Sequence, residues 1–193
     1  VAGAGLLLMG CNEDDDMMPT MPGMVSLGSG DVGILNYAYA LEQLEAAFYA
    51  EVMKGSYFAN ASAEEKTIMG DLEKHERAHR EFFKVALGSN AIGDLEVDFS
   101  AIDFNSRNSV LAAAKTFEDL GVAAYNGAGQ FLESADLLLI AGKIVSVEAR
   151  HASAIRSLIN PNSKDFAGDD IINTSTGLDV ASDPSKILPV AAG

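Results

Sequence analysis

The 193-residue sequence predicts an all-α fold, a four-helix bundle of two helical hairpins joined by a long crossover, with extended N- and C-terminal tails. Three observations predict it. Four long stretches carry helix start and stop signals. Two of their connections are short and the middle one is long. The two hairpins also repeat each other at heptad positions. Composition agrees, with 48% hydrophobic residues, abundant Ala and no Trp.

The chain divides into residues 1–11, 12–30, 31–160 and 161–193. Val1 to Gly10 are small and apolar, like the core of an export signal. That stretch is too short to cross a bilayer as a helix, which takes about 20 residues. Leu8-Met9-Gly10-Cys11 has the Leu-x-Gly-Cys shape of a bacterial lipobox. Cys11 is the lone cysteine, so it is the expected lipidation site and no internal disulfide framework can form. The expectation is an exported lipoprotein of the cell envelope, on the outer membrane, in the periplasm or at the cell surface. "NEDDD" then resembles the acidic stretch behind many such anchors. Residues 12–30 are rich in Met, Pro, Gly and Ser and read as a flexible tether.

The first helix is expected from Asp31, as N-cap, to about Lys54, with Gly55 ending it. The second opens on the capping box Ser62-Ala63-Glu64-Glu65 and runs to Leu87, before Gly88. The third begins near Ser106 or Ser109 and reaches about Leu132. The fourth covers Ala135 to Ile159 and is closed by Asn160-Pro161. The first and last connections suit antiparallel neighbours, whereas "GSNAIGDLEVDFSAIDF" can travel the length of a bundle. Residues 161–193 show no helical period and are expected as an extended tail packed on the bundle.

Formal net charge is -15 and the sequence pI about 4.4. Such a surface repels nucleic acid and anionic lipid and tolerates cations.

The repeat carries the chemistry. Leu35, Glu42 and Tyr49 match Leu111, Glu118 and Tyr125 at a shift of 76 residues. Leu72, Glu76, His79 and Phe83 match Ile144, Glu148, His151 and Ile155 at a shift of 72. The 4, 3, 4 spacing of the second set is the seam of a helix that faces a bundle core. Four carboxylates and two imidazoles would therefore share one interior. Without cations they would repel one another and be costly to bury. A pair of metal ions resolves both problems. One Glu from each of two helices and Glu-x-x-His from each of the others is the ligand set of di-iron and di-manganese bundles. The expected ligands are Glu42, Glu76, His79, Glu118, Glu148 and His151, with Glu76 and Glu148 as bridges. Glu45, one turn after Glu42, is the alternative first ligand, but its repeat partner is Gly121.

His75-Glu76-Arg77-Ala78-His79 also fits the H-E-x-x-H pattern of zinc proteases. A third zinc ligand is missing at the usual place, where Val85 stands six residues after His79. A protease also leaves the second half of the repeat without purpose. His75 is expected in the outer shell of the site or at the surface. Tyr49 and Tyr125 are expected to line the site, to support its ligands by hydrogen bonds, to relay electrons as the only catalytic candidates beyond the ligands, or to be ordinary core tyrosines. Asp119 is read as a solvated acid or a partner of a ligating histidine. Gly121, Gly127 and Gly142 suit close helix packing or contacts in a homo-oligomer.

The stretches "ILNYAYALEQLEAAFYAEV", "HERAHREFF", "FEDLGVAAYNGA" and "AGKIVSVEARHASAI" resemble the ferritin-like superfamily, in particular an exported branch related to desiccation-related proteins. The likeness spans about Asp31 to Pro161 and implies the same six ligands. The cofactor expected is two metal ions, iron first and manganese second, with oxygen or peroxide as the reacting partner. Ferroxidase or peroxide-consuming activity is the leading expectation. A structural or protective envelope protein using the bundle as a scaffold is the alternative.

Overall fold

The computed structural model describes residues 25–191. Six α-helices are present among them: α1 Gly30–Val52, α2 Ser56–Asn60, α3 Ala63–Leu87, α4 Arg107–Ala128, α5 Ala135–Ile159 and α6 Pro184–Ala191. The four long ones form the bundle, with α1 packed on α3 and α4 on α5 as two hairpins. The crossover between α3 and α4 carries one 3-10 turn, Gly88–Asn90, and otherwise no regular structure. None of the described helices is long and apolar enough to cross a membrane. The segment holding Cys11, and most of the expected tether, lie outside the described residues.

Local signals set the ends. Ser62 accepts the Glu65 N–H at 3.1 Å while Glu65 reaches back to the Ser62 N–H at 3.3 Å. This reciprocal cap satisfies two donors that a helix start leaves free. Ser106 and Ser134 cap α4 and α5 in the simpler way. Gly88 ends α3 at φ +54°, where a side chain would be strained.

Two expected ends are corrected. Ser29, not Asp31, is the N-cap of α1. Asp31 instead accepts the backbone N–H groups of Glu133 and Ser134, at 2.7 and 3.1 Å, and ties the α4–α5 turn to the start of α1. The first helix also stops at Val52, and Gly55 serves as the N-cap of the unexpected short helix α2. A Cβ at Gly55 would stand 2.2 Å from the Phe104 carbonyl oxygen, so the close approach of the crossover's end requires glycine there.

Helix α1 is buried on nearly every side from Asn36 to Ala46. A helix buried on every side must be covered on every side, and its inward polar groups need partners. The crossover supplies part of the cover. Asn36 donates to the Leu27 and Asn90 carbonyls and accepts the Ile92 N–H. One heptad on, Gln43 donates to the Gly93 carbonyl and accepts the Leu95 N–H. These amides give an irregular segment the backbone partners it would otherwise lack.

The C-terminal segment corrects the expectation of a wholly extended tail. It contains a 3-10 turn, Asp165–Ala167, an isolated bridge between Ile172 and Asp179, and α6. Arg156 of α5 anchors it, with bidentate bonds to Asp119 of α4 at 2.7 and 2.8 Å and further bonds to Asp170 at 2.8 and 3.0 Å. Asp119 is therefore neither a solvated acid nor a partner of a ligating histidine. Farther on, Ser182 donates to the Ala123 carbonyl and Ile187 is buried. The Gly127 face makes that contact possible, because a Cβ there would stand 1.8 Å from the Ser182 carbonyl oxygen.

Candidate metal centre

The bundle interior is layered. One apolar layer contains Phe48, Val52, Met69, Leu72, Leu111 and Ile155. Another, toward the opposite end, contains Tyr39, Phe83, Leu87 and Ile144. Between them every long helix turns a polar side chain inward. Glu42 comes from α1, Glu76 and His79 from α3, Glu118 from α4, and Glu148 and His151 from α5. All four glutamates have no exposed surface. The i, i+3 spacing puts Glu76 with His79, and Glu148 with His151, on one helix face about one turn apart.

The six residues form two four-ligand groups: Glu42, Glu76, His79 and Glu148; and Glu76, Glu118, Glu148 and His151. His79 Nδ1 lies 2.9 Å from Glu148 Oε1, 3.4 Å from Glu42 Oε2 and 3.6 Å from Glu76 Oε2. His151 Nδ1 lies 2.7 Å from Glu76 Oε1, 3.4 Å from Glu118 Oε2 and 3.5 Å from Glu148 Oε2. Glu76 and Glu148 thus give one oxygen to each group, while Glu42 and Glu118 serve one group each.

The terminal carboxylates are held by tyrosines across the core. The Tyr49 hydroxyl donates to Glu118 Oε1, and the Tyr125 hydroxyl to Glu42 Oε1. Each tyrosine is seven residues after the glutamate of its own helix but serves the glutamate of the other. Burial first, and then the neighbouring carboxylate, push both phenol pKa values well above the ordinary range, so both hydroxyls keep the proton they donate.

These donor atoms fit a cation. His79 Nδ1, His151 Nδ1, both oxygens of Glu76 and Glu148, and the second oxygens of Glu42 and Glu118 have no hydrogen-bond partner. The short nitrogen–oxygen distances lack the direction of an N–H···O bond. The atoms converge on common spaces rather than on one another. In a native interior such buried polar atoms are nearly always satisfied, so this concentration of unsatisfied ones marks a missing positive charge.

The electrostatics agree. Burial, followed by the repulsion of Glu148 and Glu76, drives the Glu42 pKa well above the carboxylate range against the pull of His79. Burial raises Glu118 to about 8. Burial opposes the charge on Glu76, but both histidines outweigh it and hold Glu76 at about 2. Burial likewise disfavours charged His79 and His151, yet the surrounding carboxylates lift both to about 12. The four carboxylates therefore draw positive charge into the interior they share.

Glu45 does not join either group. It is buried beside Gly121, where a Cβ would stand 3.0 Å from Glu45 Oε1, and its Oε2 has no partner. The absence of a side chain at Gly121 is what leaves room for this fifth carboxylate. Gly142, by contrast, faces open space. Two features were not foreseen from the sequence: Glu45 is buried outside both groups, and His75, expected in the outer shell or at the surface, contacts His151 in particular. The departures from the repeat at positions 45 and 75 were the available signals.

A four-helix bundle with buried Glu and Glu-x-x-His ligands on facing helices is the architecture of the carboxylate metal bundles. Residues 30–161 match the ferritin-like domain, and the chain belongs to that family. No curated protein matches the chain.

Proposed function

We propose that the protein is an exported ferritin-like protein with a dinuclear iron or manganese centre that performs redox chemistry, ferroxidase or peroxide-consuming. The observation that carries this is the division of Glu76 and Glu148, each giving one oxygen to both four-ligand groups. Two adjacent cations sharing two carboxylates require that arrangement, whereas a single structural ion does not.

Glu76 and Glu148 would bridge. Glu42 with His79, and Glu118 with His151, would complete the two positions. Bound iron or manganese would supply electrons to oxygen or peroxide, and oxygen and nitrogen donors suit these metals better than copper. The chain's own part is electrostatic and steric. Four glutamates lower the cost of the higher metal charge. Tyr49 and Tyr125 keep Glu118 and Glu42 turned toward the positions they serve. The apolar layers exclude bulk water, and the His79 side chain, 14% exposed, is the most open of the six.

The test is metal content followed by turnover. Purified protein is expected to hold two ions per chain, and His151→Ala to lose about one. The loaded protein should oxidise Fe(II) or decompose peroxide faster than Glu76→Ala. Less than one ion per chain in the wild type would overturn the dinuclear centre. Two ions without either reaction would leave a metal-stabilised envelope scaffold instead. The envelope location rests on Leu8-Met9-Gly10-Cys11. Cys11→Ser expressed with its native leader should lose incorporation of labelled fatty acid, and unchanged labelling would refute lipidation at Cys11.

A further inference from the structure

His75 is exposed on α3, one residue before Glu76, and belongs to neither ligand group. Its Nδ1 lies 3.0 Å from His151 Nε2. The ring planes differ by 8° and the centroids are 5.2 Å apart. Nitrogens can be that close at that centroid distance only if both lie along the line joining the ring centres. The two rings are therefore nearly coplanar, and a proton between them lies in both ring planes, the direction of a good hydrogen bond.

The contact suits one tautomer of His151. His151 Nδ1 faces Glu76, Glu118 and Glu148. For that nitrogen to give its lone pair to a metal, the imidazole must carry its proton on Nε2. His75 Nδ1 then accepts it. A partner of this kind orients a ligating imidazole and raises its basicity. His79 has no such partner among the described residues. The repeat places Val147 where His75 would recur, and valine cannot accept a hydrogen bond.

We propose that His75 is a positioning residue that fixes His151 as an Nδ1 donor and so makes the two metal positions unequal. The position at His151 is preformed and fills first. This rests on the dinuclear centre proposed above.

The test is calorimetric titration of the whole chain with Mn(II). The wild type should show two binding events. His75→Leu should weaken one of them about 10- to 100-fold and leave the other within about threefold. His75→Asn, whose amide oxygen can accept the same bond, should restore the lost affinity. In a His151→Ala background, His75→Leu should add nothing. An unchanged titration, an equal loss in both events, or a failure of His75→Asn to restore would each overturn the proposal. In metal-free, nitrogen-15-labelled protein, a coupling across the hydrogen bond should connect His75 Nδ1 with His151 Nε2, and its absence would overturn the proposal independently of metal. Fewer than two events in the wild type would sink the dinuclear centre itself. Two events with His75→Leu unaltered would sink only the role of His75.

Discussion

Replacing Tyr49 by Phe isolates one element of the centre. The ring is fully buried and packs edge-on against Phe48 at 5.0 Å, and Phe retains that packing. No cavity opens, so the change is confined to the hydroxyl. Glu118 Oε1 loses the Tyr49 donor, and Glu118 Oε2 has no hydrogen-bond partner to begin with. Below pH 8 the metal-free Glu118 carries a proton, so the lost bond is between neutral groups, and leaving its buried acceptor empty costs about 1–3 kcal/mol. Metal-free Tyr49→Phe at pH 7 should therefore lose about 1–3 kcal/mol of stability, or about 1 M in urea midpoint. Tyr125→Phe should lose a comparable amount, because Tyr125 serves Glu42 in the mirrored way. The two losses should not add, since both act on one set of interacting carboxylates. Urea denaturation of the four proteins after chelation measures all of this. If both single variants stay within about 0.5 kcal/mol of wild type, the hydroxyls do not hold the carboxylates and the crossed arrangement has no energetic meaning.

Gly127→Ala tests the docking of the C-terminal segment by its sign. In an ordinary helix interior the change stabilises by about 1 kcal/mol, but here the new methyl would meet a backbone oxygen at 1.8 Å. Losing the burial of Ile187 and the Ser182 bond should instead give a net loss of about 1–3 kcal/mol by thermal denaturation, and a gain would refute the docking. Metal-free stability should fall from pH 5 to pH 8. Glu42 and Glu118 have raised folded-state values, so they cost stability once pH passes their ordinary value of 4.5. His79 and His151, lifted to about 12, stabilise fully below their ordinary 6.5 and progressively less above it. Glu76 has the opposite sign, but its contribution is complete above 4.5 and lost only toward about 2. A melting temperature that rises over that range, or a Glu118→Gln variant with the same slope, would contradict this. Metal binding should release protons, seen as a dependence of the calorimetric heat on buffer ionisation, and no dependence would refute it. Glu45→Gln should stabilise the metal-free protein at pH 8 by about 1–3 kcal/mol, because burial, and then repulsion by Glu148, Glu76, Glu118 and Glu42, opposes the Glu45 carboxylate in the folded state, and a destabilised variant would refute that.

The bundle was legible because its information is local and periodic. Capping residues mark helix ends through one side chain and one N–H, and heptad spacing tells which face turns inward. Both are properties of a few neighbouring residues. Less legible features depend on what arrives from elsewhere in the chain. Asp31 looked like a cap, but its oxygens are taken by N–H groups about 100 residues away. Asn36 and Gln43 look like surface amides until the crossover is laid against α1. Helix α6 had a signal that composition hid: Pro184 at the first helical position, behind Asp183, which accepts the Ser185 N–H at 2.9 Å.

The ligand set and its exceptions follow from the same repeat. Matching positions in the two hairpins are forced into matching environments, so a duplicated Glu, Glu-x-x-His and Tyr pattern specifies a site with near-twofold symmetry. A position that breaks the pattern cannot be explained by that symmetry. Glu45 stands opposite Gly121, and the missing side chain leaves space for the carboxylate. His75 corresponds to Val147 and reaches His151, while His79 is left without an equivalent. The His75 departure places a polar atom against one half of an otherwise symmetric core, at His151. Two metal positions with identical primary ligands would bind and react alike. If the proposed dinuclear centre forms, unequal surroundings would let one position hold its ion while the other exchanges it. The residues that repeat would define what the proposed centre can bind, and His75, which does not repeat, would separate the roles of its two positions.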